Sequence, residues 1–248
     1  MTKRLYLDLN CDLGEGAGHD AELMPLITSA NIACGAHAGD AATMRATVAL
    51  AQKCGVAIGA HPGFADRENF GRREIVLPSA ELQQLVSRQI FALALFGPVR
   101  HVKPHGALYN LAARDAAVAG AVVAAVRATD ASLLLFALAG SELVRAGRAA
   151  GLRVVEEVFA DRTYQADGSL TPRSHPNALI ADEATAVAQV LRMVREGVVR
   201  ATDGTAVAIK AGTVCVHGDG PHAVAFARRL KAELGKAGVE LRAFSRDS

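Results

Sequence analysis

Three well-separated segments of this chain alternate apolar and polar residues with the two-residue period of a β-strand, and their polar faces are unusual. Leu5-Tyr-Leu-Asp-Leu-Asn-Cys-Asp12 sets leucines at 5, 7 and 9 against Asp8, Asn10 and Asp12. His101-Val-Lys-Pro-His105 carries His101, Lys103 and His105 on one face, and Thr213-Val-Cys-Val-His217 sets Thr213, Cys215 and His217 against two valines. Burying Asp, Lys and His is costly unless they pair with one another or with a ligand. Several strands ending in the same chemistry point to a site shared at the ends of a barrel, and hence to an enzyme.

The rest of the chain keeps a strand–helix rhythm. Strands are predicted near 5–11, 30–34, 56–61, 100–105, 132–138, 153–160 and 207–217. Asp40 is predicted to cap a helix running to Cys54, Ser79 one running to Phe96, and Asp182 one that buries Val187, Val190, Leu191 and Val194. Ser141 opens a short helix that Gly151 stops, a last helix runs from about Pro221 to Lys236, and 115–128 and 20–28 also read as helical. Seven strands each followed by a helix imply a parallel sheet with right-handed crossovers. An open doubly wound sheet gathers its site at one switch point. Here polar residues follow almost every strand, which favours a seven-stranded parallel β/α barrel, a single domain over residues 1–248, with every βα loop around one mouth. The polar stretch Asp167 to Asn177, with Gly168, Pro172 and Pro176, reads as a loop over that mouth.

Composition narrows the function classes. The 248 residues are 51% hydrophobic and 21% charged with a net charge of +2, a soluble globular balance without a basic block for nucleic acid or a membrane surface. The most apolar stretch, Leu133 to Ala139, is too short to span a bilayer, and the N-terminus runs straight into Asp8 and Asp12 without a signal-peptide segment. Cys11, Cys34, Cys54 and Cys215 form no CxxC pair, so a reduced, cytoplasmic protein is expected.

The strand ends supply a convergent list: Asp12 and Glu15; Asn31, His37 and Asp40; His61 and Asp66; Lys103, His105 and Tyr109; Asp161 and Arg162; His217 and Asp219. Two chemistries fit it. Imidazole and carboxylate from separate strands can hold a divalent metal, with Asp12, His61 and His105 as the trio. Alternatively His37, His61 and His105 do acid–base work near neutral pH with Asp12 orienting one of them. Lys103, between two histidines, pairs with Asp8 or Asp12 or faces a ligand's carboxylate or phosphate. Phosphate motifs are weak. There is no GxxxxGK[ST] loop; Gly218-Asp-Gly-Pro-His-Ala223 suits an anion at a helix N-terminus, but it lies late in the chain, unlike a dinucleotide fingerprint. There is no GxSxG elbow, and Cys34 reads as a small buried apolar residue.

The chain resembles the LamB/YcsF family. The matching stretches are Asp8-Leu-Asn-Cys-Asp-Leu-Gly-Glu15, Asn31-Ile-Ala-Cys-Gly-Ala-His-Ala-Gly-Asp40, Gly59-Ala-His-Pro-Gly-Phe64 with Asp66 and Phe70-Gly-Arg-Arg73, and Val102-Lys-Pro-His-Gly-Ala-Leu-Tyr109, followed by Glu157-Val-Phe-Ala-Asp-Arg162 with Tyr164, Leu170-Thr-Pro-Arg173 and Val216-His-Gly-Asp219. They cover nearly the whole chain in order. The resemblance implies a barrel similar to polysaccharide-deacetylase-like folds. It also implies a role as the A subunit of an ATP-dependent 5-oxoprolinase, which opens the lactam of 5-oxoproline (pyroglutamate) to L-glutamate with partner subunits B and C. The missing P-loop fits ATP being handled partly or wholly by those partners. Within that reading Asp12, His37, His61, Lys103 and His105 form the catalytic set, and Asn10, Asn31, Arg73, Tyr109 and Arg173 are offered to the substrate. A homo-oligomer is left open. Two other readings stand beside it: a metal-dependent deacetylase of N-acetyl sugars, for which 4% aromatics and no Trp give few stacking platforms, and a non-catalytic binding or scaffold role.

Overall fold

The computed structural model describes residues 5–217, 220 and 222–245. Gly218, Asp219 and Pro221, all named above, lie outside the described residues. The chain runs β1 (Leu5–Leu13), α1 (Asp20–Leu23), β2 (Ser29–Ala33), α2 (Ala41–Cys54), β3 (Ala57–His61), α3 (Ser79–Ala94), β4 (His101–Val102), α4 (Gly106–Arg114), α5 (Ala116–Thr129), β5 (Leu134–Leu138), α6 (Glu142–Ala149), β6 (Arg153–Phe159), α7 (Glu183–Glu196), β7 (Val198–Arg200), β8 (Ala206–Ala208), β9 (Thr213–Val216), α8 (Ala223–Lys236) and β10 (Val239–Leu241). Strands β1, β2, β3, β4, β5, β6 and β9 are all parallel, and β9 pairs back onto β1, which closes a seven-stranded barrel. Among the described residues no helix is long and apolar enough to cross a membrane.

Local sequence explains most of the boundaries. The Asp40 side chain accepts from the Thr43 N–H at 2.8 Å to start α2, and Gly55, at φ 69°, ends it. Asp182 caps α7 in the same way through Thr185 N–H. Ser79 is a correction: it is the first residue of α3, and Pro78 holds the cap position without a side-chain bond. Two strands also differ from expectation. The single strand expected over 207–217 is two elements, because β8 folds back on β7 as an antiparallel pair and only β9 enters the barrel. Strand β4 is two residues long; Pro104 interrupts it, although Lys103 N–H still reaches the Ala60 carbonyl at 3.0 Å. A short β10, unexpected from the sequence, pairs with Leu5–Leu7 of β1.

The period of two sorts the barrel wall. Leu7, Leu9, Cys11, Ile32, Ile58, Val102, Leu135, Val158, Val214 and Val216 join the main apolar core. Inside, Leu134, Phe136 and Val155 form a small plug with Phe244 packed against it. The remaining interior is polar and bonded across strands. Asp8 accepts from Thr28, Ser29 and Thr213 hydroxyls at 2.5–2.7 Å. Asn31 donates to Asn10, and Asn10 to Glu157 and Thr213, at 2.7–2.9 Å. His101 lies on Phe136, ring centroids 4.1 Å apart, and its Nε2 meets Asn31 Oδ1 at 2.8 Å. The ring occupies space that only glycine leaves free: a Cβ at Gly59 would stand 2.0 Å from His101 Nε2.

Candidate functional site

The polar interior rises into a cavity of about 960 Å³ at the C-terminal ends of the strands. Its floor is Asp12, at the end of β1, and Lys103, just past β4. Lys103 is 2% exposed; its Nζ donates to Asp12 Oδ1 at 2.7 Å and lies 3.1 Å from Cys215 Sγ and 3.3 Å from Glu157 Oε1. Burial opposes its charge, but the carboxylates, Asp12 above all, outweigh that and hold its pKa well above the ordinary lysine value. Asp12 is held well below the carboxylate range: burial works against it, and His61 and Lys103 more than compensate.

Three loops then bring a carboxylate and three imidazoles together. The turn after β1 is tied by Gly14 N–H to Asp20 Oδ2 at 2.8 Å, and Gly14, at φ 72°, lets Glu15 return over the mouth. Glu15 Oε1 lies 2.9 Å from His37 Nε2, 3.3 Å from His105 Nδ1 and 3.8 Å from His61 Nε2. His37 and His105 stack with centroids 3.7 Å apart and planes 3° from parallel. Room for this stack comes from Gly63 and Gly71, where a Cβ would meet His37 at 2.9 and 2.8 Å.

Two backbone carbonyls fix the tautomers. His61 Nδ1 lies 2.7 Å from the Lys103 carbonyl, so Nδ1 carries the proton. His105 Nε2 lies 2.9 Å from the Phe70 carbonyl, so Nε2 carries the proton there. Phe70, at φ 56°, is the one non-glycine residue with positive φ among the described residues, and that backbone turns the carbonyl to His105. The two nitrogens left over, His61 Nε2 and His105 Nδ1, face each other at 2.9 Å, with Asp12 Oδ2 3.2 Å from His61 Nε2. Burial opposes charging His61, yet Asp12 raises its pKa above the ordinary histidine value. Burial, reinforced by the His61 charge, pulls His37 and His105 down to about 3. Glu15 is raised, burial first.

Glu15, His37, His61 and His105 offer ligand atoms all within 4.8 Å of one another, a set compatible with a divalent metal. Glu15 stands in this group where the sequence trio had Asp12, whose Oδ1 is engaged by Lys103 and Asn31. His61 and His105 already have the carbonyl partners that orient metal-bound imidazoles. His37 does not: its Nδ1 is buried without a hydrogen-bond partner.

Of the residues named from sequence, Asp12, His61, Lys103, His105, Tyr109 and Arg173 line the cavity, and His37 is buried in the Glu15 cluster. Asn10 and Asn31 do not line it; they are fully buried below, bonded to each other and to neighbouring strands. Arg73 does not line it either: its side chain is 66% exposed and faces Asp66 at 3.6 Å. The structure adds Glu157 beneath Lys103, the Phe70 carbonyl, and Phe159, whose ring lies between Tyr109, Lys103 and His217. Glu157 and Phe159 share the inward face of β6 with a spacing of two, which is the one sequence signal they offered.

Over residues 7–248 the sequence matches the model of the LamB/YcsF family. It is 56% identical to a protein named as the A subunit of 5-oxoprolinase from Geobacillus thermodenitrificans (strain NG80-2), over 98% of both chains. A protein of the same name from Tolumonas auensis is 54% identical over 96% of this chain and 98% of that one. A crystal structure of the lactam utilization protein from Thermus thermophilus is 48% identical, with a TM-score of 0.91 over 97% of this chain and 100% of the other. A family 4 carbohydrate esterase from Streptomyces lividans, 15% identical with a TM-score of 0.50 over 98% and 95%, shares the fold alone.

Proposed function

The chain belongs to the LamB/YcsF family, and we propose that it is the lactam-opening component of a 5-oxoprolinase, converting 5-oxoproline to L-glutamate. The observation that carries this reading is the pairing of His61 with His105 above the Lys103–Asp12 floor. Opening a lactam is amide hydrolysis. It needs water activated by a base, a proton for the leaving nitrogen, and positive charge where the carbonyl oxygen becomes an oxyanion. His61, held as an imidazolium by Asp12, carries a proton at Nε2 for the leaving nitrogen. Glu15, raised by burial, takes the proton from water, and neutral His105 hands protons between the two. Lys103 supplies the fixed positive charge for the oxyanion. If a divalent metal binds, Glu15, His61 and His105 would hold it with His37 as a fourth donor, and it would supply an acidified water.

The relatives are named as one lettered component of 5-oxoprolinase, and this chain is read as working with two partners, B and C. ATP is handled partly or wholly by those partners: a partner passes the γ-phosphoryl group to the lactam oxygen. In this cavity water adds to the lactam carbon, the C–N bond breaks to give an acyl phosphate, and a second water releases inorganic phosphate and glutamate, with the Lys103 charge facing the phosphorylated oxygen. The deciding experiment measures glutamate release from 5-oxoproline and ATP, with the chain alone and with its two candidate partners. Release only with all three fits the proposal; none in any combination overturns it.

A further inference from the structure

The side of the cavity formed by β6 and β9 holds a second polar group that the lactam chemistry above does not use. His217, after β9, places Nδ1 2.8 Å from both oxygens of Asp161, which follows β6. Its Nε2 lies 2.7 Å from Arg173 Nη2. A guanidinium only donates, so His217 Nε2 accepts and Nδ1 gives its proton to Asp161. Asp161 therefore sets the tautomer of His217, and His217 fixes the otherwise exposed Arg173 over the cavity. Arg162 lines the same wall; it is 4% exposed and spends Nε and Nη2 on the Ala178 and Thr171 carbonyls.

We propose that Arg173 and Arg162 form an oxyanion subsite for the substrate's carboxylate, with Asp161 and His217 as positioning residues. The alternative is a latch for the 161–182 loop, made by the bonds of Arg162 to the Ala178 and Thr171 carbonyls and of Arg173 to His217. Two guanidiniums share this wall with the single carboxylate of Asp161, which His217 engages, so one positive charge is left for a ligand; Arg162 is lowered to about 10, by burial first and then by Arg173, with Asp161 opposing. A planar carboxylate matches the guanidinium fork. Position agrees with chemistry. The β1–β9 register ends at Cys11 opposite Val216, so its continuation sets His217 level with Asp12, one strand spacing or about 5 Å away. The carboxylate of 5-oxoproline sits on the ring carbon next to nitrogen. Anchored at Arg173, the molecule turns its lactam toward Asp12 and His61. This inference rests on the lactam reading.

The test titrates the full-length chain with 5-oxoproline, with 2-pyrrolidinone (the same lactam without a carboxylate) and with inorganic phosphate. Wild type should bind 5-oxoproline about tenfold or more tightly than 2-pyrrolidinone, the worth of one charge-assisted bond. Arg173→Met and Asp161→Asn should erase that preference, and in the assembled complex raise KM more than they lower kcat; His217→Gln, which keeps an acceptor, should retain most of it. Loss of both lactams alike, or no change in the preference, would mean a latch and overturn the subsite. Equal binding of the two lactams by wild type overturns the subsite alone. Wild type that binds phosphate but neither lactam overturns the carboxylate assignment and the lactam reading together.

Discussion

His61 Nε2 and His105 Nδ1 face each other at 2.9 Å while the other nitrogen of each ring is tied to a backbone carbonyl. Two lone pairs at that distance require a shared cation. In the acid–base reading the cation is a proton held on His61 by Asp12. His61→Gln and His105→Gln should then each lower glutamate release by about 10²- to 10⁴-fold. Because the His61 pKa is raised, wild-type turnover should fall on the alkaline side only above the ordinary histidine value of 6.5, and His61→Gln should lose that limb. An alkaline limb already complete below that value would refute His61 as the acid.

The alternative cation is a metal, and chelation separates the two. Protein dialysed against a strong chelator and then returned to excess Mg-ATP should keep its turnover, since the nucleotide needs its own Mg²⁺. The unpartnered His37 Nδ1 argues the same way, for it leaves one of the four donors without the hydrogen-bond acceptor that orients a metal-bound imidazole. One tightly held ion per chain, with activity lost on its removal and restored by zinc or manganese, would transfer the chemistry to the metal.

Lys103 is the charge that lets Asp12 and Glu157 share the barrel interior. Lys103→Met should leave two buried carboxylates without their cation, a loss of about 3–5 kcal/mol. The deficit should hold from pH 7 down to about pH 4 and shrink below it, because the depressed Asp12 pKa adds its full stability only above the unfolded value of 3.8. Urea unfolding at pH 7 and pH 3 reads this. Equal stability of variant and wild type at pH 7 would show that the interior does not depend on the lysine.

Much of this arrangement was legible in the sequence. Alternation along β1 and β9, with polar residues at nearly every strand end, led to the seven-stranded barrel and to Asp12, His61, Lys103 and His105 around one cavity. Alternation could not separate polar residues that face the cavity from those sealed beneath it. Asn10 and Asp12 have the same period on one strand, and only their height along the barrel distinguishes them; Asn31 is register-paired with Asp12 but turns its amide to Asn10 and Asp12 and is sealed by those bonds. The roles of Glu15 and the Phe70 carbonyl were hidden for another reason. Loop backbone at positive φ, not side-chain pattern, brings them to the histidines. Strand β10 is too short to show a period, and β8 takes Val207, which reads as part of the strand that ends in β9.

His101 gives an acid-stability test independent of the cavity chemistry. It is fully inside the barrel, and burial, with the Lys103 charge next, lowers its pKa to about 3. The unfolded chain takes up this proton below about 6.5, whereas the folded chain refuses it until about 3. Stability should therefore fall with decreasing pH across that window, by up to about 1.4 kcal/mol per pH unit from this residue alone. His101→Gln can still donate to Asn31 and has nothing to titrate. Its unfolding free energy between pH 6 and pH 4 should decline less steeply than wild type by about that slope. Parallel pH profiles for the two proteins would show that His101 is protonated in the fold, and that the Asn31 and Phe136 contacts do not hold it neutral.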